Sequence, residues 1–455
     1  MLAPSVSMRA LLTTCLLLAA RALPRGAALD IDTTSKSSLL NAAFTFSHGM
    51  MTYYNGNISG ETPGMFVSPY YWWEAGAAWD TLLSYWFITG DTTYNDQVKS
   101  SLLYQVGSDD NYQPANQTTS EGNDDQEFWA FAVMTAAERN FTNPDSSDPQ
   151  WLELAVTVYD ELAGRWDTAS CGGGLRWQIF EYNNGYDYKN TISNAGFFLL
   201  GSRLARYSSN DTYVEWAERT WDWMEEVGLL NTDYYYFYDG ADVSENCTDI
   251  KAYQWSYNAA CFLAGSAYLY NYTESEVWYN RTQNILDGLH VFFNSTSGIM
   301  YEVACENALS CDTDQKSFKA YLARYMGLTA VLAPFTYDTI MEHLTKTAAG
   351  LATSCTGGTD GVTCGMNWMV GYWDGEWGLG EEMGALEVVQ NLMIGDVPAP
   401  YTATTGGSST NGSDSSSDDD DSDDGVITTG DRAGAGIVTS VALILMLLFS
   451  GWMVV

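Results

Sequence analysis

The chain is poor in basic residues. Of its 455 residues, 19 are lysine or arginine and 57 are aspartate or glutamate, which gives a formal net charge of −38 at pH 7. Because a chain this acidic repels phosphate groups, we exclude nucleic acid as a partner. The function therefore has to be sought among proteins that do not bind nucleic acids.

Histidine is scarce, and the usual nucleophile motifs are missing. His48, His290 and His343 lie far apart without the spacing of metal ligands, so we expect no metal site and no cofactor. The sequence contains neither a Gly-x-Ser-x-Gly elbow nor a phosphate-binding glycine loop. Carboxylate side chains remain as the candidates for chemistry.

Residues 1–28 have the pattern of a secretory signal peptide. Arg9 precedes an apolar run from Ala10 to Ala20, and small residues follow through Ala28. The run is too short to cross a bilayer, although a membrane anchor is the alternative interpretation. We expect cleavage between Ala20 and Leu29.

Residues 431–455 resemble a signal for attachment of a glycosylphosphatidylinositol (GPI) lipid. An apolar stretch from Ile437 to Val455 follows a region of small residues with the candidate attachment sites Gly425, Gly430 and Asp431. A tail-anchored helix is the alternative. We expect a secreted protein that a lipid holds on the outer face of the plasma membrane.

Residues 399–430 separate the folded part from this signal. The run Asp418–Asp421 lies in serine-rich sequence without apolar residues, which cannot bury enough surface to fold. We interpret the segment as a disordered, solvated stalk, with calcium binding as the alternative. The folded domain is then expected over residues 30–398.

Potential N-glycosylation sites agree with a secretory route. The nine Asn-x-Ser/Thr sequons begin at Asn57, Asn116, Asn140, Asn210, Asn246, Asn271, Asn280, Asn294 and Asn411.

The cysteines predict disulfide bonds. Cys15 lies in the signal, and seven cysteines remain. Cys305 with Cys311 and Cys355 with Cys364 are close in sequence, so we pair them. Among Cys171, Cys247 and Cys261, one must stay free or pair outside the chain. Cys261 lies in an apolar helical run and is our choice for a buried free thiol.

A helix, a long loop, a second helix and a short connection recur six times. The first helices begin near Lys36, Thr93, Asp148, Asp211, Glu274 and Thr336. A period of roughly sixty residues indicates repeated supersecondary units. Six helical hairpins close into a double ring, an all-α (α/α)6 barrel. The long loops all follow the first helix of a pair, so they gather at one end, where we expect the functional site.

The two helices of each pair differ in composition. The second helices are rich in alanine and glycine, as in Ala259-Ala260 and Ala264-Gly265, so we place them in the inner ring. The first helices carry more charge and are expected to face outward. Few segments alternate like strands; a short β-hairpin is expected over Leu175–Phe180.

The long loops are dense in tryptophan, tyrosine, asparagine and aspartate. Trp177-Gln178 and the segment from Tyr372 to Trp377 are examples. Aromatic faces beside hydrogen-bonding side chains suit sugar rings, whose CH groups stack while their hydroxyls bind amides and carboxylates. Aromatic residues on the helices, such as Trp79, are more simply core residues.

Two adjacent carboxylates, Asp124 and Asp125, lie where the second long loop enters an inner helix. Adjacent carboxylates repel, so one should keep its proton to a raised pH while the helix N-terminus favours the other as an anion. Glycoside cleavage needs this combination of an acid with a nucleophile or base. A capping box formed by Asp124 and Glu127 is the structural alternative.

The sequence around this pair resembles glycoside hydrolase family 76, the endo-α-1,6-mannanases. The resemblance extends in order over nearly the whole folded region. Its motifs are Asn123-Asp124-Asp125-Gln126, Cys171-Gly172-Gly173-Gly174, Tyr188-Lys189-Asn190-Thr191, Trp255-Ser256-Tyr257-Asn258, Asp314-Gln315-Lys316-Ser317 and Gly378-Leu379-Gly380-Glu381. The signal peptide, the acidic stalk and the GPI signal are similar to the fungal cell-wall branch.

The resemblance implies an (α/α)6 barrel and a retaining mechanism on α-1,6-linked mannose, with Asp124 as nucleophile and Asp125 as acid/base. For the fungal branch it implies transfer of a GPI-core mannosyl group to a β-glucan acceptor at the cell wall. The residues expected to contact substrate are Trp73, Asn123, Trp177, Lys189, Asn190, Asn194, Tyr257, Asn258, Trp373 and Trp377. Lys319 and Arg324 are candidates for reading a phosphate on the GPI core, with ordinary salt bridges as the alternative.

Two other functions stay open. The chain could be a non-catalytic mannan-binding structural protein of the cell wall that kept the groove and lost turnover. It could also be an inverting hydrolase, which needs a second carboxylate across the groove, such as Glu181, Asp187 or Glu376, at a wider spacing.

Overall fold

The computed structural model describes residues 29–407. The predicted signal peptide, most of the stalk, the GPI signal with Gly425, Gly430 and Asp431, and the sequon at Asn411 lie outside these residues. Within the described part, no helix is both long and apolar enough to span a membrane.

Twelve α-helices follow one another as six pairs over the described residues, as the repeat predicts. The first helices are α1 (Lys36–Met51), α3 (Asn95–Tyr104), α5 (Trp151–Gly164), α7 (Asp211–Glu226), α9 (Glu276–Gly288) and α11 (Tyr337–Ser354). The second helices are α2 (Trp72–Thr89), α4 (Asn123–Glu138), α6 (Thr191–Ser208), α8 (Ser256–Thr273), α10 (Phe318–Leu332) and α12 (Leu379–Asn391).

The second helices form a closed inner ring. Each contacts the next, from α2 through α4, α6, α8 and α10 to α12, and α12 contacts α2 again. The first helices pack around this ring. The predicted (α/α)6 barrel is therefore confirmed.

Composition explains which helices lie inside. Residues 258–269 of α8 are all buried, and α6 is buried along nearly its whole length. Gly265 lets the Phe198 ring lie against α8, because an added Cβ would come 2.5 Å from that ring. An outer helix such as α7 buries one stripe that includes Ala217 and Trp221.

Two buried arginines join the inner helices. Arg203 on α6 donates to the Glu138 carboxylate on α4 at 2.7 Å, and Tyr268 on α8 donates to the same oxygen at 3.0 Å. Arg324 on α10 donates to Glu387 on α12 at 2.6 Å and also to Asp80 on α2. Each arginine therefore belongs to a polar cluster that links three neighbouring helices of the ring.

Arg324 and Lys319 are thus structural, which corrects their assignment to phosphate recognition. Lys319 is 1% exposed, lies 3.1 Å from the Glu306 carboxylate and stacks over the Trp368 ring. Both side chains form buried ion pairs inside the fold. Neither can reach a phosphate in solvent.

A small antiparallel sheet lies in the long loops. Strand β3 (Tyr236–Asp242) pairs with β1 (Tyr188–Asn190), β2 (Leu230–Asn231) and β4 (Ile250–Gln254). The hairpin expected over Leu175–Phe180 is wrong, since this segment makes only an isolated bridge between Gln178 and Gly122. Its backbone is held by its neighbours instead, because Trp177 donates to the Tyr188 carbonyl and accepts from the Asn123 N–H.

The two ends of the barrel differ. The long loops lead into the N-terminal ends of the inner helices, whereas the short connections leave their C-terminal ends. The C-terminal segment lies against this second end: Tyr401 N–H donates to the Glu138 carbonyl and Ala403 N–H to the Tyr207 carbonyl. The described chain therefore ends on the side opposite the long loops.

The disulfide predictions are confirmed. Cys305–Cys311 and Cys355–Cys364 each close a short loop. A third bond joins Cys171 to Cys247, and Cys261 is free and buried. All three bonds lie in the long loops or at their edges, where they restrain the end of the barrel that carries the site.

The sequons within the described residues lie at the surface. Asn294 is partly exposed, and the other seven asparagines are exposed. The surface position makes them accessible to glycosylation, which stays a prediction.

Replacing Arg203 with methionine should lower the free energy of unfolding by about 3–5 kcal/mol, because the Glu138 charge would stay buried without its cation. Arg206→Met is the matched control, since Arg206 lies on the same helix but donates to Asn271 and a backbone carbonyl near the surface. It should cost about 1 kcal/mol. Urea denaturation measures both; equal losses would contradict the role of the Arg203 cluster.

Candidate active site

Two adjoining cavities open at the loop end of the barrel. The first has a volume of about 620 Å³, including space open to solvent, and is lined by Trp73, Asp124, Asp125, Phe128, Trp177, Tyr188, Asn190, Asp239, Tyr257, Asp314 and Phe318. The second, also including space open to solvent, has a volume of about 1010 Å³ and is lined by Tyr71, Trp72, Trp73, Gln117, Thr119, Ser120, Glu121, Asp125, Trp177, Gln178, Asn183, Asn184 and Asp314. Trp73, Asp125, Trp177 and Asp314 border both cavities. Together the cavities form one groove with Asp125 at the junction.

The first turn of α4 fixes the aspartate pair. Gly122 precedes the helix, and its N–H donates to Asp125 Oδ2 at 2.6 Å. This is the back-bond of a capping box, made by Asp125 rather than by the predicted Asp124–Glu127 combination. The N–H of Asn123 donates to the Trp177 carbonyl at 2.8 Å, which ties the start of α4 to the neighbouring loop.

Asp124 is also hydrogen-bonded by a residue at the start of a second inner helix, α6. Its Oδ1 accepts from the Asp125 N–H at 3.2 Å, and its Oδ2 accepts from the Asn190 side-chain amide at 3.4 Å. Asn190 is itself the N-cap of α6, and its side-chain oxygen accepts from the Ser193 N–H. One amide therefore caps α6 and contacts Asp124.

Burial and repulsion shift both carboxyls. Burial raises the pKa of Asp124 well above its ordinary value, and the negative charge of Asp125 raises this pKa further. Burial also raises the pKa of Asp125 to about 7; the Gly122 N–H acts to lower this pKa, and Asp314 adds to the rise. The adjacent carboxyls interact strongly enough to titrate as a unit. Around neutral pH such a pair can hold one proton.

Two further carboxylates face the first cavity. Asp314 accepts from Trp73 Nε1 at 3.1 Å, and burial raises the pKa of Asp314 to about 6. Asp239 accepts from the Tyr188 hydroxyl at 2.5 Å and from Trp255 Nε1 at 2.9 Å. Each therefore hydrogen-bonds a tryptophan that it helps to orient.

Sequence reasoning did not assign these two residues to the site. Asp314 begins one of the motifs that resemble family 76, which was a usable signal. Asp239 lies in the middle of β3, between tyrosine and glycine, and nothing in its local sequence marks it. It reaches the cavity because β3 pairs with β1, where Gly240, the residue after Asp239, lies opposite Asn190.

Three of the predicted aromatic residues line the cavities. The Trp73 ring lies 4.6 Å from Phe128, and Trp177 is 37% exposed. Tyr257 stacks on Phe318 with ring centroids 3.9 Å apart. Trp73 and Trp177 border both cavities, so they can present faces to sugars on either side of Asp125.

Several predicted substrate residues hold the protein together instead, which corrects their assignment. Asn123 is bonded to the Arg176 carbonyl and accepts from Arg165. Lys189 is 0% exposed and donates to three loop carbonyls, those of Asp167, Ser170 and Gly173.

Asn194 and Asn258 are also buried outside both cavities. The Asn194 amide binds both backbone groups of Leu175 and the Asn190 carbonyl. Asn258 is 1% exposed, and its side chain has no hydrogen-bond partner among the described residues. Neither is placed to contact a sugar in the groove.

Trp373 and Trp377 lie in the last long loop, outside both cavities. Trp373 Nε1 donates to the Glu376 carbonyl, and Trp377 is 60% exposed. The carboxylates considered for inversion do not line the cavities either: Glu181 and Asp187 are exposed, and Glu376 pairs with Lys316 at 2.5 Å. Asp239 and Asp314 are instead the other carboxyl residues that line the first cavity.

The described residues contain no group of three or more histidine, cysteine, aspartate or glutamate side chains arranged to hold a metal ion.

Comparison with known proteins identifies the family. Residues 38–404 match the family described as Glycosyl hydrolase family 76. The chain belongs to this family. It is 52% identical over 430 residues to a mannan endo-1,6-alpha-mannosidase of Saccharomyces cerevisiae, which covers 94% of this chain and 95% of that protein. The predicted family and the assignment as a glycoside hydrolase are thus confirmed.

Solved structures of this family share its fold. The crystal structure of Dfg5 from Chaetomium thermophilum in complex with glucosamine is 44% identical, with a TM-score of 0.80, and covers 83% of this chain and 95% of that chain. An inactive α-1,6-mannanase variant from Salegentibacter sp., in complex with α-1,6-mannotriose, is 18% identical with a TM-score of 0.63 and covers 78% and 99%. Because its sequence identity is only 18%, this second structure supports the shared fold alone.

Replacing Asn190 with alanine should lower turnover about 10- to 100-fold, because a hydrogen bond to a charged group contributes roughly 1.5–3 kcal/mol. It should also cost about 1 kcal/mol of stability as a lost N-cap. Ser275→Ala is the matched control, since Ser275 caps α9 by accepting from the Val277 N–H.

The control should lose similar stability and keep its turnover. Thermal unfolding and kinetics on a mannan oligosaccharide measure both effects. If the two variants had equal turnover, the contact between Asn190 and Asp124 would have no role in the reaction.

Proposed function

We propose that the protein is a retaining α-1,6-mannosidase and transglycosidase that acts on α-1,6-mannan or on the mannose of a GPI-core glycan. Its close relatives are named mannan endo-1,6-alpha-mannosidases. In the Salegentibacter mannanase, the variant that lacks two consecutive aspartates is described as inactive and holds α-1,6-mannotriose. The pair Asp124–Asp125 supplies two consecutive aspartates in the groove of this chain.

The arrangement of the two cavities around this pair carries the proposal and its assignment of roles. Asp124 lines the first cavity alone, whereas Asp125 lies at the junction of both. In a retaining glycosidase the nucleophile attacks the anomeric carbon of the donor sugar, and the acid/base acts on the oxygen between the donor and the leaving group. Asp124 is accordingly the nucleophile, Asp125 is the acid/base, and the first cavity holds the donor mannose.

The reaction has two steps. A carboxylate oxygen of Asp124 forms a bond to the anomeric carbon while the glycosidic C–O bond breaks, and the Asp125 proton goes to the leaving oxygen. In the second step Asp125 takes a proton from water or from a sugar hydroxyl, whose oxygen displaces Asp124. Both steps invert the anomeric carbon, so the product retains the original configuration.

This assignment requires the proton of the pair to lie on Asp125. Burial is the main cause that raises the pKa of Asp124, and the negative charge of Asp125 raises it further. When Asp125 carries the proton, this repulsion vanishes, and Asp124 keeps its hydrogen bonds from Asn190 and from the N–H of Asp125. The start of α4 further favours the anion. In the proposed mechanism the active form has ionised Asp124 beside protonated Asp125.

The second cavity suits a sugar acceptor. Amide and hydroxyl side chains line it at Gln117, Thr119, Ser120 and Gln178, and Trp177 offers an aromatic face. A sugar hydroxyl held there beside Asp125 competes with water for the glycosyl-enzyme intermediate. We infer that the natural acceptor is a β-glucan, so that the reaction links a mannosyl end of a GPI protein to the cell wall.

The proposed location is the outer face of the plasma membrane and the cell wall, with attachment through a GPI lipid. The segment before residue 407 lies at the end of the barrel opposite the groove. An attachment that continues from this end leaves the groove accessible to glycans.

The reaction products distinguish glycosyl transfer from hydrolysis. The full chain is incubated with an α-1,6-linked mannosyl donor and a β-glucan oligosaccharide, and mass spectrometry follows the products. We expect a joined mannosyl–glucan product in the wild type, and a loss of roughly 10²–10⁴-fold in Asp124→Asn and Asp125→Asn. Free mannosyl fragments alone would make the protein a hydrolase. Binding without any product, unchanged in both variants, would assign it to the non-catalytic wall proteins.

The pH dependence follows from the proton on Asp125. Its pKa is raised to about 7, so the acid form is present below this value and is lost as the pH rises through it. For a mannan oligosaccharide, kcat/KM should therefore fall above about pH 7. An aryl mannoside with a good leaving group needs no proton, so its alkaline decline should be much weaker. Identical profiles for the two substrates would contradict the acid role of Asp125.

A further inference from the structure

Glu121 is a third carboxyl residue beside the catalytic pair, and the reaction described above leaves it without a role. It lines the second cavity and not the first. It directly precedes Gly122, whose N–H is bonded to Asp125. Its own carbonyl accepts from the Ile179 N–H at 3.3 Å, so its backbone is held on both sides.

The Glu121 side chain is buried without a partner. The residue is 1% exposed, and neither carboxyl oxygen has a hydrogen-bond partner among the described residues. An unpartnered buried polar group costs roughly 1–3 kcal/mol, and native proteins contain few of them. Because Glu121 lines the second cavity, its unpartnered carboxyl is suited to bind a ligand there.

The charged groups around Glu121 explain why it has no partner. Asp125 and Glu161 are carboxyl neighbours whose charge disfavours ionised Glu121, and Arg165 is the cation that acts in the opposite direction. Arg165 is already engaged by Glu161 at 2.7 Å and by the side-chain oxygens of Asn123 and Gln126. Arg165 forms no hydrogen bond with Glu121.

The same surroundings determine the protonation of Glu121. Burial raises the pKa of Glu121 to about 9, with Asp125 adding to the rise and Arg165 acting against it. At neutral pH the side chain is then an uncharged acid that donates through its O–H and accepts through its carbonyl. Two neighbouring hydroxyls of a sugar offer the matching acceptor and donor.

We propose that Glu121 is a specificity residue of the second cavity, where its carboxyl group hydrogen-bonds hydroxyls of the sugar on the leaving-group and acceptor side. The inference rests on the proposed function, because that function assigns the second cavity to this sugar. The ligand class is a neutral glycan: Asp125 and Asp314 at the same cavity disfavour a phosphorylated or otherwise anionic acceptor.

Binding measurements test this role separately from turnover. In the full chain with Asp124→Asn to prevent reaction, isothermal calorimetry measures the Kd of a β-glucan oligosaccharide and of an α-1,6-mannan oligosaccharide. Adding Glu121→Met, which keeps the length and removes the polar atoms, should weaken at least one probe about tenfold. Adding Glu121→Gln, which keeps one donor group and one acceptor, should stay within about threefold.

Glu127→Gln is the matched control. Glu127 lies in the second turn of α4, is also 1% exposed and unpartnered, and lines neither cavity. It should leave both Kd values unchanged. Thermal unfolding of every variant verifies that a change in Kd does not reflect a loss of fold.

The outcomes separate this inference from the proposed function. Unchanged affinity for both probes in Glu121→Met, or equal losses in the methionine and glutamine variants, would overturn the role of Glu121. A wild type that binds neither probe would overturn it as well. A wild type that binds a probe through Glu121 but releases no product would sustain this inference and refute the catalytic proposal.

Discussion

The barrel depends on the pairing of charges inside its ring of inner helices. Arg203 and Arg324 each join a cluster that links three neighbouring helices, so together the two clusters involve all six. A buried cation is costly unless its partners are complete, which makes the relative positions of these helices specific. Because the helices are held within the ring, the loop end of the barrel can carry polar side chains whose hydrogen-bonding groups have no partner within the described part of the protein.

The groove at this end of the barrel contains several buried or partly buried carboxyl groups. Burial raises the pKa of both Asp124 and Asp125, while hydrogen bonds from the Asn190 amide and from backbone N–H groups at the start of α4 act to lower these pKa values. Asp124 receives two hydrogen bonds and lines the first cavity, whereas Asp125 lies where the two cavities meet. In the proposed mechanism the first cavity holds the donor and the second the acceptor, with Asp124 as nucleophile and Asp125 as acid. The tryptophans that border both cavities would then contact sugars on both sides of Asp125.

The helical repeat could be read from the sequence because hydrophobic periodicity and small residues act locally, and all six pairs follow the predicted order. The aspartate pair was visible for the same reason, since its position at a helix start is a local property. The roles of polar loop residues could not be predicted in this way. Lys189 and Asn194 look like sugar ligands, yet each satisfies backbone groups of a neighbouring loop. Asp239 reaches the cavity only through strand pairing, which no local pattern encodes.

The central claim is that Asp124 forms the bond to the donor sugar. A fluorinated mannosyl donor whose glycosyl-enzyme intermediate is hydrolysed slowly would trap this bond, and mass spectrometry of the digested protein would locate it. The account predicts one mannosyl ester, on Asp124, and none after Asp124→Asn. An ester on Asp125, Asp239 or Asp314, or turnover to a product of inverted configuration without any ester, would contradict it.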